Sequence, residues 1–299
     1  MRASSVVRAL RLVGAAGMAL DAALVNSVQC SKEARKTLSR ASVAVEWVEI
    51  SAGDCASARE IDASRVLGAS TKCDHGSEGW EAFNAESRRE YEALYAPAGL
   101  DPANNELETS AAVALVRSLG LRPEDAFLDL GSSAGSLVLA AAWTSAAARC
   151  HGVELSPRSH RVAAEARDRF AALKPDRAGA VEFFNSDLRA ADVSRYSVLF
   201  CAIRGVASRP RVLHDVLTAA CDHDDGRRLV CAGFGVDLKR QPYADRVSLA
   251  KATVLAKPNA PPDAPPAARS LPLYGTDEGP RVLLEYAIAP RARAGDPDT

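Results

Sequence analysis

From residue 108 onward, short continuous apolar runs alternate with longer segments in which apolar residues return every three or four positions. The runs at 126–130, 150–154, 181–184, 197–201 and 228–232 have the length and continuity of strands buried on both faces. A further run, 282–288, predicts a last strand. Between them, the stripe Ala112, Leu115, Val116 and Leu119 predicts a helix capped by Thr109-Ser110 and closed by Gly120. Residues 136–148 predict an apolar helix. Ser156-Pro157 reads as a cap followed by proline at the first helical position, and Val162, Ala166, Phe170 and Leu173 continue that helix. Val212, Leu213, Val216 and Leu217 mark one more. Strands alternating with helices at this spacing predict an α/β chain: a Rossmann-like, doubly wound sheet in three α/β/α layers.

The flanks are less regular. Residues 1–80 have weak periodicity and read as a poorly ordered or helical N-terminal extension, and 81–290 as the main domain. Trp80, Phe83, Tyr91 and Tyr95 punctuate an amphipathic helix that ends before Pro97. Residues 257–270 form a Pro-rich loop, stiff and exposed, and 291–299 read as a disordered tail.

Charge changes this picture only at the N-terminus. The net charge of the 299-residue chain is −1, so the molecule as a whole does not attract polyanions. Arg2, Arg8, Arg11, Lys32, Arg35, Lys36 and Arg40 face only Asp21 and Glu33 within residues 1–45. That arm could touch nucleic acid or a nucleosome; a solvated tail is the plainer alternative. Seven cysteines without C-x-x-C spacing argue against a disulfide framework or a zinc cluster, and no metal is expected. No apolar run reaches the about 20 residues of a membrane span. The expected setting is intracellular, cytoplasm or nucleus, with an organelle transit peptide in residues 1–25 as the alternative.

The chemistry concentrates where the first predicted strands end. Gly131-Ser-Ser-Ala-Gly135 is a small-residue turn between a strand and a helix, so a ligand can approach its backbone. Asp129, at the end of its strand, is placed to hold an ammonium group. Glu154 ends the second strand, placed to accept hydrogen bonds from two ribose hydroxyls. Asp187 follows the third, placed to accept from an adenine amino group. Any one of these acids could be a solvated loop residue. Together they face three donor-bearing parts of S-adenosylmethionine, and ligands of such sheets collect at the carboxyl ends of the strands.

Asp129-Leu-Gly-Ser-Ser-Ala-Gly135 resembles the first motif of class I methyltransferases, and Gly152-Val-Glu-Leu-Ser-Pro157 their second-strand motif. Within that group, residues 104–233 are most similar to the non-SET histone lysine methyltransferases, the disruptor-of-telomeric-silencing family. Glu108-Thr109-Ser110 matches that family's acid and hydroxyl at the methionine end of the cofactor. The resemblance implies a seven-stranded sheet with one antiparallel strand, for which 282–288 would serve. It also implies S-adenosyl-L-methionine as cofactor and a protein lysine as methyl acceptor. The cofactor set it implies is Glu108, Thr109, Asp129, Gly131, Ser132, Ser133, Gly135, Glu154, Leu155, Asp187 and Leu188. Two positions depart from the family: its middle glycine is Ser133 here, and its asparagine after the fourth strand has no counterpart in Phe200-Cys-Ala-Ile-Arg204. The catalytic residue is therefore left unassigned. Because the named contacts begin at Glu108, residues 1–80 are expected to be dispensable for cofactor binding.

Three rivals share the motif. Gly131-Ser-Ser-Ala-Gly135 also fits the G-x-S-x-G elbow of a serine hydrolase, with Ser133 as nucleophile, Asp187 or Asp192 as acid, and His214 or His223 as base. A dinucleotide site would want three glycines, and Gly131, Ser133 and Ser136 supply one. A methyltransferase fold that binds cofactor without catalysis is the third.

Overall fold

The computed structural model describes residues 43, 45–63, 85, 89, 90, 92–94, 107, 109–202, 209–222, 225–232, 243, 245–257, 261, 266–271 and 282–290. Its centre is one eight-stranded sheet. In chain order the strands are β1 (Val45–Glu49), β2 (Ala126–Leu130), β3 (Arg149–Glu154), β4 (Val181–Asn185), β5 (Val198–Cys201), β6 (Arg227–Ala232), β7 (Val247–Ala256) and β8 (Leu283–Ile288). They lie side by side in the order β1-β7-β8-β6-β5-β2-β3-β4. All pair in parallel except β8, which runs antiparallel to both β6 and β7. The expected antiparallel strand is thus present.

Both faces of the sheet are covered. The helices α1 (Ala52–Ala63), α2 (Thr109–Leu119), α3 (Ser136–Thr144) and α4 (Pro157–Leu173) bury one core, built on Ile61, Leu115, Val138, Leu139, Phe127 and Phe170. The helix α5 (Arg209–Cys221) and the turns at 188–190 and 193–195 bury the other, around Leu128, Leu199, Leu217, Leu284 and Tyr286. β2, β5 and β6 lie mid-sheet between the two cores. This explains why their sequences are continuous apolar runs rather than alternating ones.

The sequence reading differs from this architecture in several places. The sheet has eight strands rather than seven. β1 lies in the stretch expected as an extension, where it forms the sheet's edge beside β7 in parallel register, Val45 opposite Ala252. β7 itself, VSLAKATVLA, was not foreseen. Its first half alternates between exposed and half-buried positions, and only Ala252–Ala256 reads as a buried run. The Pro-rich segment contains a short helix, α6 (Pro266–Arg269), after which Ser270 bridges to Ala256. The helix foreseen at 136–148 stops at Thr144, where Thr144 and Ser145 hydroxyls bond back to Ala140 and Ala141 carbonyls. The basic residues of the N-terminal arm, Trp80, Phe83, Tyr91 and Tyr95, and the tail 291–299 lie outside the described residues; residues 85, 89, 90 and 92–94 are helical, as the sequence reading expects.

A polar clamp fastens the first strand and helix to the domain. Ser51 and Asp54 cap α1 reciprocally: Ser51 N donates to Asp54 Oδ2 at 2.6 Å, and Asp54 N donates to Ser51 Oγ at 3.1 Å. Arg117 on α2 donates to both Asp54 oxygens, at 2.9 and 2.8 Å, and to the Glu49 carbonyl at 2.6 Å. Burial alone would raise the Asp54 pKa, but the hydrogen bonds from Arg117 and Ser51 outweigh it and hold the carboxyl below 3.8. A folded-state pKa below the unfolded value means the contribution is complete well above pH 3.8 and lost as pH falls below it. Asp54→Ala is expected to cost about 2 kcal/mol at neutral pH through the lost cap and the unpaired guanidinium. Denaturant titrations of both proteins check this: their stability gap should close on the acid side.

Candidate functional site

The carboxyl ends of β2, β3 and β4 are adjacent, because β2 pairs with β3 and β3 with β4. Neighbouring strands stand about 4.8 Å apart. Asp129, Glu154 and Asp187 therefore line one edge of the sheet in sequence order, the first two ending β2 and β3 and the third just past β4. Asp129 is buried to 5% exposure and Glu154 to 2%. The N-termini of α3 and α4 follow from β2 and β3 and sit at this same end.

The glycine turn is held close to β3. Gly131 N and Ser132 N both donate to the Val153 carbonyl, at 2.9 and 3.0 Å, and Gly135 N closes the turn onto the Ser132 carbonyl at 2.8 Å. Gly131 and Gly135 have φ of +94° and +90°, a region L side chains avoid. A Cβ on Gly135 would also stand 2.5 Å from the Phe183 ring. Gly135→Ala therefore meets both strain and a clash. It is expected to destabilise the protein by about 2–3 kcal/mol, measurable as a lowered melting temperature. Gly152 has a different reason to be small: its missing Cβ leaves room for the Ser132 side chain.

Ser133 is the only non-glycine with positive φ among the described residues, at +50°. The family glycine at this position thus has a backbone reason, and the serine keeps the same turn at a cost of about 1 kcal/mol. Ser133→Gly should recover roughly half of that, since glycine loses more freedom on folding; calorimetry should show a small rise in melting temperature.

Glu154 organises the turn as well as facing the ligand side. Its Oε2 accepts from Ser133 N and its Oε1 from Ser156 N, each at 2.8 Å. A carboxylate offers two oxygens that only accept, the chemistry that a pair of vicinal hydroxyls requires. Asn185, the residue opposite Glu154 on β4, donates its amide to the Glu154 and Leu155 carbonyls at 2.9 and 3.0 Å and fixes this corner. The sequence reading missed Asn185, which carries no motif of its own.

Helix capping at this edge is unequal. Ser156 Oγ caps α4 by accepting from Ser159 N, and the α4 Arg158 N donates to Glu90 at 3.2 Å. Asp187 caps the turn at 188–190. α3, directly after the glycine turn, has no side-chain cap. Its first N–H groups are left for another acceptor. Ser136, its first residue, is 5% exposed, and its hydroxyl has no partner among the described residues. An uncapped helix start with an orphaned hydroxyl suits the amino-acid end of S-adenosylmethionine, to whose carboxylate it would donate. Ser136 is a second candidate that the sequence reading did not single out. Thr109, buried to 8% exposure, begins α2 at the same end; Glu108 lies outside the described residues. Leu155 and Leu188 are half-buried and both pack on the α5-side core, an apolar flank for a base.

Asp187 is more engaged than its sequence position suggested. It accepts from Arg189 N at 2.9 Å and from the Arg189 guanidinium on both oxygens. The Arg189 hydrogen bonds, against the opposing effect of burial, hold its pKa below the ordinary value.

The hydrolase alternative finds no triad among the described residues. A triad histidine needs an acid on Nδ1 to set its tautomer. His214 Nδ1 has no partner among the described residues, and its ring lies against Tyr243. Of the acids offered, Asp187 is held by Arg189 and Asp192 caps the 193–195 turn. His223 lies outside the described residues. His151 bonds Tyr196 at 2.9 Å inside the core, where burial lowers its pKa. No group of three or more metal-ligating side chains occurs among the described residues, and no helix there is long and apolar enough to cross a membrane.

Residues 97–192 match the family model for histone methylation protein DOT1. None of the curated proteins matches the chain. Among solved structures, the chain is similar to an RNA methyltransferase from Salinibacter ruber in complex with S-adenosyl-L-homocysteine. That match has 24% identity over 62% of this chain and 95% of that one, with a TM-score of 0.38. It is also similar to magnesium protoporphyrin IX methyltransferase from Synechocystis PCC 6803 with bound S-adenosylmethionine (16% identity, 70% and 94% covered, TM-score 0.43). A third is an S-adenosylmethionine-dependent O-methyltransferase from Thermotoga maritima (11% identity, 64% and 69% covered, TM-score 0.43). The DOT1 match spans the glycine turn, Glu154 and Asp187, the parts that the geometry brings to one edge. Over this stretch, about a third of its length, the chain is similar to histone methylation protein DOT1.

Proposed function

We propose that this enzyme transfers a methyl group from S-adenosylmethionine to a lysine side chain of a protein. The supporting observation is the match of residues 97–192 to histone methylation protein DOT1, since that stretch holds the cofactor edge. In this reading Glu154 takes the ribose hydroxyls and Asp187 the adenine amino group. Asp129 holds the cofactor's ammonium, and the start of α3 with Ser136 receives its carboxylate. Thr109 serves the methionine end, with Glu108 its neighbour in sequence; Gly131, Ser132, Ser133 and Gly135 let the cofactor lie against the backbone, and Leu155 and Leu188 flank the base.

Methyl transfer from a sulfonium needs little acid–base help at the donor. The enzyme contributes mainly by aligning acceptor and methyl, worth roughly 7–11 kcal/mol at best. A lysine acceptor must also arrive neutral, which a dry channel favours by lowering its pKa. Ala202, half-buried after β5, stands where the family places an amide, so alignment here is achieved without that hydrogen bond. The basic excess of residues 1–45 suits an acidic or nucleosomal partner and a nuclear setting.

Transfer of labelled methyl from S-adenosylmethionine onto nucleosomes, free histones and total RNA tests this. The expected label is sensitive to protease, resistant to RNase, and recovered as methyl-lysine after hydrolysis. Label that follows the RNA fraction would contradict a protein acceptor.

A further inference from the structure

We propose that Arg189 is a specificity-determining residue that competes with the cofactor's adenine for Asp187. This rests on the reading of Asp187 as the adenine acceptor. A carboxylate offers about four lone-pair directions. Here Oδ1 accepts from Arg189 N at 2.9 Å and from Arg189 Nε at 3.0 Å. Oδ2 accepts from the same Nε at 3.0 Å and from Arg189 Nη2. The side chain closes back on the residue two positions earlier as a fork, so Asp187 has no lone pair left over for an exocyclic amine. Adenine can be recognised only if the guanidinium gives up at least the outer oxygen.

The surroundings allow that exchange. Asp187 and Arg189 keep 28% and 22% of their side chains exposed, so neither is locked in the core. The bond from Arg189 N to Oδ1 belongs to the backbone cap of the 188–190 turn and survives any movement of the side chain. Asp215 on α5 also acts electrostatically on Arg189 and offers the released guanidinium a second acid. Adenine entry thus swaps one charge-assisted contact for another and draws Arg189 toward α5. A partly exposed ion pair carries only a small net energy. The competition is therefore worth a few-fold in affinity, enough to tune binding and too little to block it.

The test is a set of calorimetric titrations with S-adenosylhomocysteine. The proteins are the full chain, Arg189→Ala, Arg189→Lys, Asp187→Ala and the Asp187→Ala/Arg189→Ala pair, each checked for an unchanged melting temperature. Arg189→Ala is expected to bind about threefold to fivefold tighter than the parent. Arg189→Lys, which keeps the charge but loses the fork, should fall between them. Asp187→Ala should weaken binding, and in that background removing Arg189 should change nothing. Equal or weaker binding by Arg189→Ala, with Asp187→Ala weakened, overturns the competition and leaves the role of Asp187 standing. Unchanged binding by Asp187→Ala overturns that role, and the competition with it.

Discussion

Glu154→Gln is expected to raise the dissociation constant for S-adenosylmethionine at least about 100-fold, nearly as much as Glu154→Ala. The reason is donor geometry. Both carboxylate oxygens already accept backbone N–H groups, from Ser133 and Ser156. A glutamine has one acceptor oxygen, so whichever way its amide is turned, its NH2 faces one of those two donors. On the proposed binding mode, the variant loses the charge, one of the two turn contacts and a ribose contact. Hydrogen bonds to a charged group contribute about 1.5–3 kcal/mol each. Two lost on the ligand side and in its supporting turn reach 3–6 kcal/mol, and 1.4 kcal/mol is a factor of ten in affinity. The site is buried to 2% exposure, so solvent cannot replace the missing acceptor. Calorimetric titration with cofactor, paired with a melting curve, separates lost binding from lost fold. Binding within threefold of the parent would show that the ribose lies elsewhere.

Removal of residues 1–63 is expected to cost the domain its stability, and cofactor binding with it. β1 forms the sheet's edge beside β7. Val48, Ile50, Ala58 and Ile61 are buried, Ile61 completely. At about 1.5–3 kcal/mol for each large aliphatic side chain, their burial contributes on the order of 5 kcal/mol before the cost of ordering them. Whole domains hold only about 5–15 kcal/mol. The truncation would also strip the cap from Arg117 and bare the edge of β7, inviting strand pairing between molecules. A chain starting at residue 64 should melt roughly 10 °C lower than the full chain or aggregate. An unchanged melting temperature would mean that β1 and α1 are passengers. The expectation that residues 1–80 are dispensable for cofactor binding is revised accordingly.

What the sequence disclosed, and what it hid, follows the physics of each element. Strands flanked by covered faces are continuous apolar runs, so β2 through β6 were legible to within a residue or two. β1 was not: VEWVE alternates and carries two glutamates, as an edge strand must, and it borrows its burial from β7 and α2. β7 is half alternating and half buried, and reads as neither kind of run. At the site, position along the strands placed Asp129, Glu154 and Asp187 on one edge without any structure. Their partners were invisible. That Glu154 is shared between two backbone amides depends on how the glycine turn folds over β3. That Asp187 is tied to Arg189 depends on a short turn whose sequence, Leu-Arg-Ala, says nothing about where the arginine points. Ser136 and Asn185 carry no motif and gain meaning only from an uncapped helix start and a strand register.

The most direct test of the assignment is a calorimetric titration of the full chain with S-adenosylhomocysteine, run beside Glu154→Gln. The expected result is saturable one-to-one binding by the parent and its loss in a variant that still melts cooperatively. Absence of heat with the parent at millimolar ligand, or equal binding by both proteins, would contradict a cofactor site at the carboxyl ends of β2, β3 and β4.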